Sequence, residues 1–261
     1  MNIRDYCKPQ TLEEAWQENQ KKSAVLFAGG GWLCLQPKRP IGKAVDVSDV
    51  LDGNIEERDD EIYIGAMATL RQLETSSLLI KATNGAIKEA LRHIVGVQFR
   101  NRATIGGSLW SRFGFSDVLT LFLALRADVT LYKGGRIALS DFARQGYDTD
   151  ILVSVHIPKV QRTAAYASLR LNATDFPIIC CAVSREEDRL YCAVGARPLR
   201  GDVRTYEAKS LESTDAIEKL AQDIADSFVY DSNMRGSSQY RHDMAAVLCR
   251  RLLHTIKGER R

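Results

Sequence analysis

The chain has 261 residues, of which 45% are hydrophobic and 26% charged, and its net charge of +3 comes from interleaved acidic and basic residues. This composition is typical of globular proteins and argues against nucleic acid or an anionic membrane surface as a partner. No apolar run approaches the roughly 20 residues that span a bilayer, and the N-terminus lacks an apolar signal core, so we expect a cytoplasmic protein.

The N-terminal part of the chain alternates strands and helices. A helix is predicted to begin after Thr11, which has the capping-box spacing with Glu14. Short apolar runs predict strands at 24–28 and 43–48. The acidic, turn-rich stretch around 52–61 is predicted to separate two subdomains.

The middle part is predicted to be mixed. A strand is expected at 61–70, and an amphipathic helix at 84–95 places Ile87, Leu91 and Ile94 on one face. The later elements are a helix capped by Ser116, a hairpin closed at Gly134–Gly135 and a strand at 150–159.

Beyond about residue 160 the pattern changes to antiparallel strands followed by a helix. Strands are predicted at 166–172, 177–184 and 190–196. A closing helix at 237–253 is expected to present one apolar face made of Tyr240, Met244, Val247 and Leu248.

Cysteine and histidine usage gives no metal motif. The six cysteines form neither a CxxC pair nor an iron–sulfur spacing: Cys7, Cys34, Cys180, Cys181, Cys192 and Cys249. Adjacent Cys180 and Cys181 are predicted to be small buried hydrophobes. The four histidines are scattered, and no nucleophile motif is present. We expect no metal site, and we expect an organic cofactor to carry any chemistry.

The first glycine segment, Gly29–Gly31, does not fit the familiar nucleotide loops. It supplies the first half of the Rossmann pattern G-x-G-x-x-G, but Cys34 occupies the third glycine position. Pro37 and Pro40 argue against a helix starting here. No Gly-Lys-Ser/Thr follows, so a P-loop is also excluded.

A second small-residue segment, Thr104–Ser108, also follows a short apolar stretch. Successive amides in a glycine turn can form a concave nest for an anion without a helix or a charged side chain. Ala28–Gly31 and Thr104–Ser108 together are therefore predicted to hold one dinucleotide, although each alone is more simply a tight turn. Arg100 and Arg102 flank the second segment and are interpreted as solvated surface residues rather than phosphate ligands.

Five blocks of sequence, in order, resemble the FAD-binding medium subunit of the molybdenum hydroxylases, the xanthine dehydrogenase family. They are AGGGWLCLQPK from Ala28, IGAMATL from Ile64, RNRATIGGSLWSRFGFSD from Arg100, DILVSVHIP from Asp150 and MRGSSQYRHDMAAVLCRRLL from Met234. The resemblance runs from about residue 6 to residue 253, nearly the full chain.

The resemblance implies an α+β protein with the PCMH-type FAD-binding fold of vanillyl-alcohol oxidase and MurB. It predicts a FAD-binding domain at 1–160, with subdomains at about 1–56 and 57–160. A C-terminal domain of antiparallel sheet and helix is predicted at 161–261.

The resemblance also implies FAD as the cofactor and assigns its contacts. The first segment wraps the diphosphate, the second supplies another backbone cradle, and Asp117 accepts hydrogen bonds from the ribityl or ribose part. The predicted cofactor-binding residues are Leu26, Phe27, Ala28, Gly29, Gly30, Gly31, Trp32, Leu33, Ile94, Thr104, Ile105, Gly106, Gly107, Ser108, Asp117, Leu152 and Arg170. Tyr147 is expected in a loop that covers the flavin ring, and no catalytic side chain is assigned.

The implied function is electron transfer. A molybdopterin-binding large subunit would hydroxylate a substrate, a 2Fe-2S small subunit would relay the electrons, and FAD on this chain would pass them to NAD+ or another acceptor. Two alternatives stay open: a flavin-free assembly or scaffold subunit, and a stand-alone flavin oxidoreductase of the same fold.

Departures from the family pattern motivate the flavin-free alternative. Gly31 stands where Thr is usual, Trp32 where an acid is usual and Ser108 where Asn is usual. Each lost side-chain hydrogen bond costs on the order of 1 kcal/mol, but the backbone amides remain, so we expect FAD binding to persist. Trp32 is interpreted either as a core residue or as a residue that stacks on the cofactor.

Overall fold

The computed structural model describes residues 2–35 and 40–258, and three β-sheets follow one another along that part of the chain. Helices pack against each sheet, which gives the α+β class that the sequence predicts. No helix within the described ranges is long and apolar enough to cross a membrane. The division into domains at residue 160 stays a prediction.

The first sheet is small and parallel, with strand order β1-β3-β2. Its elements are β1 (Ile3–Cys7), α1 (Leu12–Asn19), β2 (Ala24–Phe27), α2 (Gly31–Cys34) and β3 (Ile41–Asp46). The predicted cap of α1 is confirmed, because Thr11 Oγ1 accepts a hydrogen bond from the Glu14 amide at 3.1 Å. The first glycine segment follows the carboxyl end of β2, where ligands commonly bind to parallel sheets.

The second sheet has five strands, in the order β4-β5-β8-β6-β7, and every pairing is antiparallel. The strands are β4 (Ile55–Glu57), β5 (Glu61–Gly65), β6 (Asp128–Leu131), β7 (Gly135–Ala138) and β8 (Leu152–Pro158). The predicted hairpin is confirmed, and Gly135 has a φ of +69°, a value that glycine adopts without strain.

Seven short helices surround this sheet and build the largest hydrophobic core. They are α3 (Leu70–Thr75), α4 (Ser77–Ala82), α5 (Ala86–Leu91), α6 (Val97–Arg100), α7 (Ile105–Trp110), α8 (Asp117–Ala124) and α9 (Leu139–Arg144). All eight residues of α8 are buried, and Ser116 caps it as predicted, with Oγ accepting from the Leu119 amide at 3.1 Å. Ile87, Leu91 and Ile94 are also buried as expected.

The third sheet is antiparallel, in the order β12-β11-β10-β9. It comprises β9 (Arg162–Leu169), β10 (Ile179–Glu186), β11 (Arg189–Gly195) and β12 (Asp202–Glu207), and a 3₁₀ turn at Ala208–Leu211 leads to α10 (Thr214–Asp226) and α11 (Ser238–Lys257). The three predicted strands are confirmed, and β12 is an additional one. Cys180 and Cys181 are fully buried in β10, as predicted.

The predicted apolar face of α11 is correct only in part, because Leu248 is buried and Met244 packs partly buried against the core, but Tyr240 does not belong to the buried face. Tyr240 is exposed, whereas Arg241, Ala245, Leu248 and Cys249 are buried. Arg241 is buried because its guanidinium donates to backbone carbonyls, including that of Ala196 at 2.5 Å. Apolar periodicity alone cannot identify a buried face that contains a charged residue, such as Arg241.

Candidate cofactor-binding site

The two glycine segments meet in space. A Cβ on Gly29 would overlap the backbone carbonyl of Arg102, and a Cβ on Gly31 would lie 3.1 Å from the Phe99 ring and 3.2 Å from Ala103. The first segment therefore packs directly on residues 99–103, which lead into the second. Only glycine permits this approach at Gly29, because any side chain there would collide with backbone.

The amides of the first segment are not engaged by the rest of the described protein. Within residues 2–35 and 40–258, no acceptor receives a hydrogen bond from the amides of Gly29 to Leu33. Gly30 has a left-handed φ of +68°, which turns the chain into α2. Successive free amides at such a turn are the arrangement that binds anions.

The expectation that no helix starts in this segment is wrong. The single turn α2 begins at Gly31 and ends at Cys34. Pro40 follows it, and Pro37 lies outside the described residues. A proline blocks the continuation of a helix, but a single turn that ends several residues earlier escapes that restriction.

The second segment uses its amides within the protein. The amides of Ile105 and Gly106 each donate at 2.9 Å to the carbonyls of Ala68 and Ala66, respectively. Those of Gly107 and Ser108 donate to Oγ1 and the carbonyl of Thr104 at 3.2 and 3.1 Å. Rather than a simple turn, Thr104–Ser108 is the N-cap and first turn of α7. A second set of free amides is therefore absent from Ile105–Ser108, and the role of the segment in binding stays a prediction.

Both segments line one cleft of about 880 Å³, which we call the glycine cleft. The predicted residues on its walls are Leu26, Ala28, Gly29, Gly30, Gly31, Trp32, Leu33, Thr104, Gly106, Gly107 and Leu152. Gly107 presents an open face, because a Cβ there would meet only Thr104 Oγ1, at 3.3 Å.

A second cavity of about 590 Å³ holds three more predicted residues, Ile94, Asp117 and Arg170, and we call it the Asp117 cavity. Trp32 lines both this cavity and the glycine cleft. The predicted residues that line a cavity thus divide into two groups, which share Trp32.

Asp117 is held in place by neighbouring polar groups. It is the first residue of α8, and its Oδ1 accepts hydrogen bonds from the Tyr166 hydroxyl and the Arg170 guanidinium. Arg170 Nε also donates to Ser168 Oγ at 3.2 Å. Burial raises the pKa of Asp117 above its ordinary value, although Arg170 and Tyr166 act in the opposite direction. Burial and the Asp117 charge raise the pKa of Tyr166 well above its usual range.

Three predicted residues support the site from behind rather than line either cavity. The Phe27 ring lies beneath Gly30, where a Cβ would approach it to 2.9 Å. Ile105 is fully buried in the core. Ser108 Oγ donates to the Thr104 carbonyl at 2.8 Å and accepts from Trp32 Nε1 at 3.4 Å.

The interpretation of Arg100 as a solvated residue is wrong. Its guanidinium is buried and pairs with Glu74, with Nε 2.9 Å from Glu74 Oε2, and Nη1 donates to the Ile94 carbonyl at 3.1 Å. Arg100 thus anchors the segment on which Gly29 and Gly31 pack. Arg102 is exposed, as expected.

Sequence reasoning missed several residues of the cleft, among them Met67, Trp110 and Ser111. All three lie within the sequence blocks IGAMATL and RNRATIGGSLWSRFGFSD that carry the family resemblance, so their position in those blocks was the signal that could have identified them. Tyr147 is 69% exposed, and its hydroxyl donates to the Ser111 carbonyl at 2.6 Å. That bond puts Tyr147 beside the wall of the cleft.

Comparison with known proteins identifies relatives of the whole chain. The family described as FAD binding domain in molybdopterin dehydrogenase matches residues 1–160. The chain is 27% identical to the carbon monoxide dehydrogenase medium chain of Afipia carboxidovorans, over 97% of this chain and 96% of that protein. It is 26% identical to YgfM, an uncharacterized protein of Escherichia coli, over 94% and 93% of the two chains.

A crystal structure of the Cu,Mo-containing CO dehydrogenase has the same fold. It superposes with a TM-score of 0.84 at 23% identity and covers 99% of each chain. This agreement confirms the predicted FAD-binding fold with a C-terminal antiparallel sheet and helices.

Proposed function

Because the chain belongs to the family of FAD-binding domains in molybdopterin dehydrogenases, we propose that it binds FAD across the glycine cleft and the Asp117 cavity. In this proposal it is the electron-transfer subunit of a molybdenum hydroxylase complex.

The position of the free amides is the observation that carries the proposal. FAD consists of two ring systems joined through a diphosphate. Here Gly29–Leu33, whose amides have no acceptor within the described residues, line the glycine cleft, and Trp32 of this segment also lines the Asp117 cavity. An anion-binding turn between two cavities suits a ligand with a central diphosphate and two bulky ends.

The chain's own residues have distinct tasks in this proposal. The amides of Gly29–Leu33 would hold the diphosphate, and the open face of Gly107 would let it approach the backbone. Apolar walls, including Leu26 and Leu152, would exclude water from a ring system, and Asp117, fixed by Arg170, would accept hydrogen bonds from hydroxyl groups. Bound FAD would supply the redox chemistry, so no catalytic acid or base is required of this chain.

The expected partners are a molybdopterin-binding large subunit and a 2Fe-2S small subunit. The medium-chain name of the Afipia carboxidovorans relative supports this assignment. In the proposal this chain collects electrons that the iron–sulfur subunit delivers and passes them to NAD+ or another acceptor.

The test is flavin binding by the purified chain and by two glycine variants. Wild type should bind FAD with a flavin absorption spectrum and a stoichiometry near one. Gly107→Val should reduce binding at least tenfold, because its side chain enters the cleft while the helix tolerates it. Gly146→Val is the matched control: Gly146 is exposed, a Cβ there meets nothing within 4 Å, and it does not line the glycine cleft.

The outcomes separate the alternatives. A wild-type chain that folds but never binds FAD would support the flavin-free scaffold and contradict the proposal. A flavin-loaded chain that never associates with molybdopterin and iron–sulfur subunits would support the stand-alone oxidoreductase. Equal FAD affinity in Gly107→Val and Gly146→Val would contradict the proposal that FAD binds in the glycine cleft.

A further inference from the structure

Trp32 occupies the junction of the two cavities. Its partly buried ring lines both of them and lies against three phenylalanines. The ring centroids are 5.1 Å from Phe99, 6.4 Å from Phe113 and 6.2 Å from Phe176. Phe99 and Phe113 meet it edge-on, whereas Phe176 is nearly parallel, at 22°. The phenylalanines therefore support the indole and fix its orientation.

The residues that depart from the family pattern contact one another. Trp32 Nε1 donates to Ser108 Oγ at 3.4 Å. The neighbouring Gly31 leaves room for the Phe99 ring, which in turn packs on Trp32. Gly31, Trp32 and Ser108, which looked independent in the sequence, thus form one packed unit at the candidate cofactor site. This packing argues that one kind of cofactor contact has replaced another, rather than that cofactor binding has been lost.

The replacement changes the chemistry of the contact. With Trp32 in place of an acid, the segment Gly29–Leu35 contains no charged side chain. The free amides of Gly29–Leu33 therefore face a diphosphate without a neighbouring carboxylate to repel it. An indole ring presents a large apolar face, and aromatic rings in stacked contact stabilise one another by about 0.5–1.5 kcal/mol beyond area burial.

We propose that Trp32 is a cofactor-positioning residue, whose indole contacts FAD where the glycine cleft meets the Asp117 cavity and sets the affinity for it. This inference rests on the proposed binding of FAD. It assigns to one side chain the part of the binding energy that the family pattern places on polar groups. A purely structural Trp32 would stabilise the fold and leave the cofactor untouched.

The experiment titrates the flavin-free full chain with FAD and records both the dissociation constant and tryptophan emission. Trp32→Ala should raise the dissociation constant about tenfold, which corresponds to ~1.4 kcal/mol. Trp32→Phe should bind within about threefold of wild type, since a phenyl ring retains most of the stacked contact. It should also lose much of the emission quenching that FAD causes in wild type.

Trp16→Phe is the matched control, because Trp16 packs in the small core of the first sheet and lines neither cavity. It should keep the wild-type affinity and quenching. Unchanged affinity in Trp32→Ala, together with unchanged quenching in Trp32→Phe, would overturn the inference and leave the proposed function intact. If Trp32→Ala does not fold, the FAD affinity of Trp32→Leu, which keeps an apolar side chain but no aromatic ring, decides instead. A wild-type chain that binds no FAD would contradict the inference and the proposed function together.

Discussion

The two glycine segments of this protein use their glycines in different ways. In the first, Gly29 and Gly30 shape a turn whose amides stay free. In the second, a Cβ on Gly106 would lie only 2.8 Å from Ala66, and the amides of Ile105 to Ser108 already donate hydrogen bonds within the protein. The first segment is suited to hold a ligand, and the second is suited to hold the protein together beside it.

The difference shows that a glycine pair next to a ligand site need not bind the ligand through its amides. Gly106 is required by its neighbour Ala66, because both backbones approach closely there. Gly107 leaves an open face toward the cleft. One segment thus combines a structural glycine and a ligand-facing one, and variants of the two segments should separate these roles.

The largest loss of stability is expected when the buried ion pair between Arg100 and Glu74 is broken, because Arg100 anchors the residues on which the first glycine segment packs. Arg100→Met would leave the buried Glu74 carboxylate with the more exposed Arg71 as its remaining ion-pair partner and should lower the free energy of unfolding by about 3 kcal/mol. Thermal or denaturant unfolding of the flavin-free chain measures it. Arg102→Met, two residues away and exposed, is the control and should unfold like wild type. Equal stability of the two variants would show that the segment needs no anchor.

The same pair predicts a dependence on pH. Burial opposes ionisation of Glu74, but hydrogen bonds from Arg71 and Arg100 outweigh it and hold the pKa of the carboxyl below its ordinary value. A lowered pKa in the folded state contributes stability above the ordinary carboxyl pKa, and that stability is lost as the pH falls through the folded value. Wild type should therefore lose more stability on acidification than Glu74→Gln. Parallel curves for the two proteins would contradict this linkage.

A smaller loss is expected in the first segment. Gly29→Ala forces a Cβ into the Arg102 carbonyl, and overpacking of this kind costs about 1–3 kcal/mol. Both the melting temperature of the flavin-free chain and its FAD affinity should fall. Gly107→Ala is the comparison, since the same methyl group would meet only the Thr104 Oγ1, at 3.3 Å, and its melting temperature should fall less than that of Gly29→Ala. Similar melting temperatures for the two variants would contradict the claim that Gly29, unlike Gly107, is required by a close backbone contact.

The smallest effect concerns the cap of the second segment. Thr104 Oγ1 accepts from the Gly107 amide, so Thr104→Ala should cost about 1 kcal/mol of stability. Thr104→Ser keeps the hydroxyl and should restore most of it. If Thr104→Ala unfolds like wild type but loses FAD, the hydroxyl serves the ligand rather than the helix.

Local signals in the sequence predicted much of the fold. The cap at Ser116, the hairpin at Gly135 and the buried pair Cys180–Cys181 depend on neighbours in the chain, so their patterns were sufficient. Arg100 was wrongly interpreted as solvated because its partner Glu74 is distant in sequence, and the burial of Arg241 was not predicted from the periodicity of α11 for the same reason.

The sequence predicted where the candidate site lies but not the role of each glycine in it. The sequence marked both glycine segments, yet a glycine looks the same whether it needs a positive φ, as at Gly30, a close contact, as at Gly106, or an open face, as at Gly107. The amides of Ile105 and Gly106 donate their hydrogen bonds to the carbonyls of Ala68 and Ala66, which are distant in sequence. No local pattern in residues 104–108 shows them.

Amide hydrogen exchange with and without FAD tests the central claim most directly. In the flavin-free chain, the amides of Gly29–Leu33 should exchange rapidly and those of Gly106–Ser108 slowly. FAD should protect the first set strongly and change the second set little. Strong new protection confined to Gly106–Ser108, with Gly29–Leu33 unchanged, would contradict the account.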